Sequence, residues 1–253
     1  MHIDAAFVIG DGHTVCQDYA SAFTVEDRAY IMVSDGCSSS PHTDIGARIL
    51  THQVMACLAA GMRVQQALFN EVLKRARAVV QHLQLPRSSL DCTLLIAEHD
   101  QERARIIAIG DGVIAYTNRE GDLAGFELTT LSQSPGYLNY WGDEERIHHY
   151  REQDQGLVYR ALGSDHTQHH SSALHAFSMT LPSAQLTSLA LYSDGVSSFP
   201  QVSVEEVLTH LGNFPTKEGA FAQRRLRKFT RKTCKKRGWT HQDDLAVAVM
   251  AFA

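Results

Sequence analysis

The chain reads IMVSDG at residues 31–36, IAIGDG at residues 107–112 and LALYSDG at residues 189–195. In each stretch an apolar run ends in Asp followed by Gly. A fourth version is inverted, because the pair Asp243-Asp244 directly precedes the apolar residues 245–252. Short apolar runs of this composition predict strands, and a Gly after a strand lets the backbone turn and approach a ligand. The sequence therefore predicts several strand ends that each present a carboxylate.

The aspartates of this pattern are Asp35, Asp111, Asp194 and Asp243. Carboxylates that converge on one edge of a sheet repel each other, so they stay ionised together only if cations compensate their charge. Oxygen ligands without His or Cys suit Mg²⁺ or Mn²⁺ better than zinc. Any single Asp-Gly pair is typical of an ordinary turn. Their joint occurrence in this order favours a metal centre.

The composition is that of an ordinary globular protein and excludes several functional classes. The chain has 253 residues, of which 44% are hydrophobic and 20% charged, and we expect one domain over residues 1–253 with a sizeable core. The net charge of -5 argues against a general nucleic-acid binder, which needs a positive surface. No apolar run approaches the roughly 20 residues of a membrane span.

The N-terminal residues and the cysteines indicate a cytoplasmic protein. Residues 1–10 contain Asp4 and lack a basic stretch, so no signal peptide is expected. The five cysteines are odd in number and lack any CxxC spacing. They indicate reduced thiols, not a disulfide framework or a zinc site.

Hydrophobic periodicity predicts an α+β fold in which antiparallel strands and paired helices form a layered sandwich. Strands are expected at residues 2–9, 28–34, 92–97, 105–109, 113–117, 123–130, 174–181, 188–193 and 245–252. Helices are expected at residues 44–60 and 64–83, after the capping box at residues 203–206, and at residues 222–233.

Residues 131–160 are predicted to form a flap. Residues 132–156 are polar and aromatic without a clean period, and an unstructured segment of that length is usually either functional or disordered. Tyr137, Tyr140 and Trp141 favour a folded flap.

The chain resembles the protein phosphatase type 2C, or PPM, family of metal-dependent Ser/Thr phosphatases. Within that family it most resembles a divergent bacterial branch. The resemblance covers nearly the whole chain, and the motifs occur in the family's order and spacing. They read HTVCQD at residues 13–18, SDGCSS at 34–39, DCTL at 91–94, IGDG at 109–112, RALG at 160–163, SDGV at 193–196 and DDLAV at 243–247.

The resemblance implies a four-layer α-β-β-α sandwich, in which two antiparallel sheets lie between helix pairs. It also implies two Mn²⁺ or Mg²⁺ ions, with a possible third. Asp35 would bridge two ions, the Gly36 carbonyl would add a ligand, and Asp194 and Asp243 would complete the first ion's protein ligands. Asp111 matches the position that helps to hold a third, weaker ion. Asp18 would hold water in the second coordination layer.

The implied activity is the hydrolysis of phosphoserine and phosphothreonine in proteins. A water that bridges the ions has its pKa lowered and attacks phosphorus in line, with no covalent protein nucleophile. The catalytic set would be Asp35, Asp194, Asp243 and Asp18. The implied partner of this monomer is a phosphorylated protein in signalling, either a Ser/Thr kinase or its target, with no role for nucleic acid or a membrane.

Three positions depart from the family pattern. His13 replaces the phosphate-binding Arg, and an imidazole can bond phosphate but lacks the bidentate fork of a guanidinium. Gln17 replaces a Glu of the second layer and so removes one negative charge near the metals. Cys37 follows the Asp-Gly pair and is a competing nucleophile, although the Cys-x5-Arg loop of thiol phosphatases is absent. The departures at His13 and Gln17 motivate an alternative function, a catalytically weak or inactive regulatory domain that binds a phosphoprotein.

Residues 224–237 form a dense basic run with apolar residues at helical spacing. An ordinary solvated helix face explains such a run. A docking surface for an acidic or phosphorylated partner is the functional alternative.

Overall fold

The computed structural model describes residues 1–130, 135–153, 157–170 and 176–252, and their strands form two antiparallel sheets. The first sheet has seven described strands, in the order β1 (His2–Val8), β12 (Leu245–Ala251), β11 (Leu186–Tyr192), β6 (Gly112–Asn118), β7 (Leu123–Thr130), β8 (Leu157–Ala161) and β9 (Thr167–His170). The second has five, in the order β10 (Ala176–Pro182), β5 (Arg103–Ile109), β4 (Leu94–His99), β3 (Arg28–Ser34) and β2 (Tyr19–Val25).

The described residues form six α-helices, of which two pairs pack on the outer faces of the sheets. They are α1 (Thr43–Ala59), α2 (Gln66–His82), α3 (Glu144–Gln153), α4 (Val204–Leu211), α5 (Phe221–Lys228) and α6 (Lys235–Arg237). A wider π turn at Phe229–Cys234 joins α5 to α6. Helices α1 and α2 cover the five-stranded sheet, whereas α4 and α5 cover the seven-stranded sheet.

Alternation along the strands explains the layers, since successive side chains of a strand point to opposite faces. In β3, Ile31 packs between the two sheets, whereas Met32 faces α1 and α2. In β12, Ala248 lies between the sheets and Val247 faces the second helix pair. Every residue of β12 is buried because both of its faces are covered. This arrangement confirms the predicted α-β-β-α sandwich.

Several elements differ from the sequence prediction. Strand β2 was not predicted because its central residues Ala20, Ser21 and Ala22 are small and give no strong apolar alternation. Strands β8 and β9 have only five and four residues, too short for a period to be read. The single helix predicted at residues 222–233 is interrupted after Lys228 by the π turn.

The predicted flap lies partly outside the described residues. Residues 131–134 and 154–156 are not described, and neither are residues 174–175 at the start of the strand predicted for 174–181. The described part contains a 3₁₀ turn at Leu138–Tyr140 and helix α3. The last residues of the predicted range, 157–160, belong to β8.

No helix in the described parts of the chain combines the length and the apolar character that crossing a membrane requires.

Candidate metal centre and active site

The four strand-end aspartates line one cleft of about 480 Å³. Asp35 follows β3 and Asp111 follows β5 in one sheet, whereas Asp194 follows β11 and Asp243 precedes β12 in the other. The cleft therefore opens where the ends of both sheets meet. One wall is the loop of residues 36–39 with Thr93, which directly precedes β4. The other wall, on the flap side, consists of Thr129, Thr130, Pro135 and Tyr137.

The aspartates in and beneath the cleft perturb one another. Burial raises the pKa of Asp35 well above its usual range, and the nearby charges of Asp18 and Asp194 raise it further. Burial, with the charge of Asp194, raises the pKa of Asp111 to about 8. Burial, and to a smaller extent the charge of Asp194, also raises the pKa of Asp243. The site therefore concentrates negative charge that the protein itself does not balance.

The oxygen atoms present fit hard divalent cations. The Oδ1 atom of Asp194 is buried and has no hydrogen-bond partner among the described residues, which is costly unless a cation or water compensates it. Among those residues no group of three or more His, Cys, Asp or Glu side chains is placed to hold one ion. Mg²⁺ takes few carboxylates and keeps several waters, so a set of three such side chains is not a requirement for its binding. That Asp35, Asp194 and Asp243 share one ion stays a prediction.

Backbone hydrogen bonds fix the loop that carries Asp35. The Asp35 amide donates to Thr93 Oγ1 at 3.0 Å, and the Thr93 amide donates to the Asp35 carbonyl at 2.8 Å. Gly36 pairs with Cys92 across the same junction. A Cβ atom at Gly36 would lie 2.7 Å from the Cβ of Thr43, so only Gly lets this turn approach α1. The carbonyl of Gly36, a predicted metal ligand, is thereby held at the cleft.

Asp18 lies beneath the cleft and is held by Ser193. The hydroxyl of Ser193 donates to Asp18 Oδ2 at 2.6 Å and accepts from the Ala246 amide at 2.9 Å. Asp18 is buried, with 2% of its surface exposed. Burial raises its pKa well above the usual range, although the bond from Ser193 opposes this. The role of Ser193 was not predicted, and its place directly before the metal-motif Asp194 was the available signal.

Asp244 organises the N-terminal loop, a role that was also not predicted. Its carboxylate accepts hydrogen bonds from the backbone amide of Gly10 at 2.8 Å and from the backbone amide of Gln17 at 2.6 Å. The Nδ1 atom of His13 lies 3.1 Å from Asp244 Oδ2 and 3.6 Å from Asp243 Oδ1, but is not aligned for a hydrogen bond. Asp244 therefore fixes the whole loop of residues 10–17 beside the last metal motif.

His13 and Gln17 both lie beside the cleft and are not among the residues that line it. His13 contacts the carboxylates described above. The Nε2 atom of Gln17 donates to Thr43 Oγ1 at 2.6 Å and lies 3.5 Å from the Cys37 carbonyl. The structure thus places the side-chain amide of Gln17 against the start of α1 and the loop of residues 35–39, called the metal loop below because metal ligands are predicted there. The phosphate contact of His13 stays a prediction.

Comparison with known families decides the identity of the fold. The model of the protein phosphatase 2C family matches residues 9–231. The chain belongs to the protein phosphatase 2C family. Members of this family generally use Mn²⁺ or Mg²⁺. A search of curated proteins gave no significant match.

Solved structures of bacterial protein phosphatase 2C proteins share the fold. The serine/threonine phosphatase Stp1 from Staphylococcus aureus is 13% identical, with a TM-score of 0.64 over 100% of this chain and 96% of that chain. The phosphatase domain of the cell-fate determinant SpoIIE from Bacillus subtilis, solved with a fragment of its regulatory domain, is 12% identical. Its TM-score is 0.58 over 99% of this chain and 63% of that chain. At such identities the likeness shows the fold alone.

In this phosphatase-family chain, Asp91 ties the flap to the metal loop. Asp91 directly precedes Cys92 and Thr93 and is 3% exposed. Its carboxylate accepts from Asn139 Nδ2 and from Arg146 Nη2, both at 2.7 Å, and from Ser40 Oγ at 3.2 Å. Its carbonyl accepts from the Cys37 amide at 2.9 Å. One residue therefore contacts both walls of the cleft.

The same side of the flap is reinforced by hydrogen bonds and an aromatic contact. Arg77 donates to the carbonyls of Asn139 and Trp141, each at 2.8 Å. The ring of Trp141 packs edge-on against Phe69 of α2 with centroids 5.8 Å apart. These contacts fold the described part of the flap against α2, which places Tyr137 in the cleft wall.

Replacing Asp91 by Ala is expected to release the flap. The change leaves Asn139 Nδ2 and the guanidinium of Arg146 without their carboxylate, at a cost of about 1–3 kcal/mol in the free energy of unfolding. We expect faster amide hydrogen exchange over residues 135–153 and a lower urea midpoint. Asp27→Ala, at an exposed turn far from the flap, is the matched control. Unchanged exchange in the Asp91→Ala variant would show that the flap does not depend on this carboxylate.

Proposed function

We propose that the protein hydrolyses phosphoserine and phosphothreonine in other proteins, using Mg²⁺ or Mn²⁺ held at the cleft. The observation that carries this proposal is the meeting of four strand-end aspartates in one cleft, where the Oδ1 atom of Asp194 has no partner among the described residues. Membership of the protein phosphatase 2C family supports it independently.

Each residue near the cleft has a role in this proposal. Asp35, the Gly36 carbonyl, Asp194 and Asp243 would hold two ions, and Asp111 would help to hold a third. Ions bound there supply a water of lowered pKa and neutralise charge on the phosphoryl oxygens. Asp18, fixed by the hydroxyl of Ser193, orients water from below the cleft.

The charges of the cleft make the proposed reaction strictly dependent on cations. None of the described residues that line the cleft is Lys or Arg. A phosphate dianion would therefore meet only carboxylates and neutral groups in the metal-free protein, and it would be repelled. Removing divalent cations with EDTA is expected to abolish hydrolysis completely, and excess Mn²⁺ to restore it.

Cys37 is the alternative nucleophile within the cleft, and its environment can be tested. Burial raises the pKa of the Cys37 thiol, but hydrogen bonds with Ser39 and Tyr137 outweigh burial, so the pKa lies below its ordinary value. We nevertheless expect Cys37→Ser to keep kcat within about tenfold, because no covalent intermediate is proposed. A loss of several orders of magnitude, with metal binding intact by calorimetry, would show that the thiol attacks phosphorus.

A second candidate function is a weak or inactive regulatory domain that binds a phosphoprotein. The position of His13 favours it, because the imidazole contacts Asp243 and Asp244 and does not line the cleft. Gln17 favours it too, because an amide replaces a charged group beside the metal loop.

The substitution Gln17→Glu tests whether weak activity of this protein would result from weak metal binding at the cleft. The Glu side chain would be repelled by the Cys37 carbonyl, which now lies 3.5 Å from Gln17 Nε2, and would turn toward the cleft. We expect the Mn²⁺ concentration for half-maximal activity to fall by about tenfold, the lower end of second-layer effects. Gln17→Met, which removes the amide without adding charge, is the control. An unchanged Mn²⁺ requirement in Gln17→Glu would remove Gln17 as a cause of weak activity.

The experiment that tests the proposed function is phosphate release from matched peptides. A phosphothreonine, a phosphoserine and a phosphotyrosine peptide of one sequence are incubated with the protein and Mn²⁺. We expect release from the first two. The SpoIIE structure joins a phosphatase domain to part of a regulatory domain, which is compatible with a phosphoprotein substrate in a regulatory system here. Binding of the phosphopeptides without any release would favour the regulatory alternative.

A further inference from the structure

One face of the segment from α5 to α6 carries a continuous stripe of exposed cations. It consists of seven residues: Arg224, Arg227, Lys228, Arg231, Lys232, Lys235 and Lys236. All seven side chains are exposed, whereas the apolar residues between them are buried, so the cations lie on the outer side of this segment. The opposite side packs into the core through Phe221, Ala222, Leu226, Phe229 and Cys234. We call these seven residues the basic stripe.

The charge of the chain is divided sharply between this segment and the rest. Residues 219–242 hold nine of the 23 Lys and Arg residues and none of the 28 Asp and Glu residues. The remaining chain has fourteen basic and 28 acidic residues, a net charge of -14, which with the +9 of the segment gives the -5 of the whole chain. A segment of opposite sign to its own protein is an electrostatic feature that the fold alone does not require.

The charges of the stripe are not paired with carboxylates of the described residues. Arg224 Nη2 donates to the Glu218 carbonyl at 2.6 Å, but none of the seven forms an ion pair there. Neighbouring Arg237, by contrast, pairs with Glu206 at 2.9 Å and lies over the ring of Trp239. Arg225 points inward and its Nε atom donates to the Leu211 carbonyl. Like charges three and four residues apart on a helix repel each other. A bound polyanion would remove this repulsion.

We propose that the basic stripe binds an acidic segment of a protein partner. If the proposed phosphatase function holds, on which this extension rests, that partner is the phosphoprotein substrate and the stripe docks it away from the phosphorylated residue. The stripe runs over thirteen residues, whose twelve steps span about 18 Å at the rise of an α-helix, and this length matches five or six residues of an extended peptide. Arg237 precedes Asp243 by six residues, so its Cα lies no more than about 20 Å from that of the cleft residue.

The surroundings of the stripe favour a protein over nucleic acid or a membrane. The Phe and Trp residues of the segment, Phe221, Phe229 and Trp239, are all buried and offer no platform on which bases could stack. The large exposed apolar side chains of the described residues all lie outside residues 219–242, so no hydrophobic face is available for insertion into lipid. The strongly acidic remainder would repel a long polyanion but tolerate a short acidic peptide.

The direct test measures binding of a fluorescein-labelled peptide of alternating Glu and Asp by anisotropy at low salt. The variant is Lys228→Glu/Lys232→Glu/Lys235→Glu, and the matched control is Lys74→Glu/Arg103→Glu/Arg119→Glu, which changes net charge equally at exposed positions outside the stripe. We expect the stripe variant to weaken binding by at least tenfold and the control by less than threefold. Circular dichroism of both variants serves as the test of folding.

Two outcomes would overturn the proposal. One is equal weakening in the stripe variant and the control, which would show that only net charge matters. The other is tighter binding of oligo-dT or of phosphatidylserine vesicles than of the acidic peptide, which would assign the stripe to nucleic acid or to a membrane surface.

A kinetic test separates this proposal from the proposed function. With a phosphothreonine peptide that carries a distant acidic tail, the stripe variant is expected to raise KM at least tenfold without changing kcat. With the same peptide lacking the tail, and with para-nitrophenyl phosphate, KM is expected to be unchanged. If wild-type protein releases no phosphate from any of these compounds, the proposed function fails, and the anisotropy result still decides the docking surface. An equal rise in KM for all three substrates would contradict docking.

Discussion

Asp35→Asn is expected to lower kcat for phosphopeptide hydrolysis by more than about 100-fold. Even the mutation of a residue that only hydrogen-bonds a metal ligand lowers metal affinity or activity by about 10- to 100-fold. The charges of Asp18 and Asp194 both raise the pKa of Asp35, and its backbone is held by Thr93. In the proposed site Asp35 would contact more than one ion. The amide of Asn keeps the volume of the side chain but removes the negative charge that would hold them.

The control for this prediction is Asp122→Asn, in the exposed turn between β6 and β7. Its activity should equal that of the unmodified protein. Titration calorimetry with Mn²⁺ should show weakened binding in Asp35→Asn and normal binding in Asp122→Asn. If Asp35→Asn hydrolysed the phosphopeptide at near the original rate, the assignment of this aspartate to the metal centre would be wrong.

The metal-free protein is expected to become less stable as pH rises from about 4 to about 8. In the folded protein the pKa of Asp111 is raised from 3.8 to about 8, mainly by burial and by Asp194, and that of Asp35 is raised too. Between these pH values the folded state holds protons that the unfolded state has released. Stability is therefore highest at the acidic end of the window and falls as these carboxyls ionise. One such group contributes at most about 1.4 kcal/mol per pH unit, and solvent in the cleft reduces this.

Thermal unfolding in EDTA at pH 5 and at pH 8 measures this effect. We expect Tm at pH 8 to be lower by about 5 °C or more, since about 1 kcal/mol shifts Tm by 2–4 °C in a chain of this size. Saturating Mn²⁺ at pH 8 should restore Tm, because the cation binds the ionised carboxylates of the folded state.

Asp35→Asn supplies the internal check on that measurement. Removing one member of the cluster should make metal-free protein more stable at pH 8, because a repelling charge is lost, while it weakens the stabilisation by Mn²⁺. A metal-free Tm that is level or rises between pH 5 and pH 8 would contradict the charge cluster as described.

Features with a strong local pattern could be predicted from the sequence. The bounds predicted for β3 and β7 agree with the structure, since each is an uninterrupted strand bounded by turn residues. The helices followed from apolar residues at helical spacing, whereas their arrangement in two outer layers followed from the resemblance to the phosphatase family. The prediction failed where the pattern was weak, as in β2, or where geometry changed without a change in composition, as at the π turn of Phe229–Cys234.

The aspartates of the cleft were predicted because each lies at the end of an apolar run. Asp244 and Asp91 were not, because their function depends on residues distant in sequence. Asp244 bonds Gly10, which is 234 positions away, and Asp91 bonds Asn139, which is 48 positions away. No local period records such contacts. These long-range hydrogen bonds therefore became visible only in three dimensions.

The most direct test of the central proposal is a Mn²⁺ titration of phosphothreonine-peptide hydrolysis, run with the unmodified protein and with Asp194→Asn. We predict activity that is absent in EDTA and that saturates with Mn²⁺. In Asp194→Asn we predict that this activity is lost although the variant remains folded. Hydrolysis that is independent of Mn²⁺, or that survives in Asp194→Asn, would contradict it.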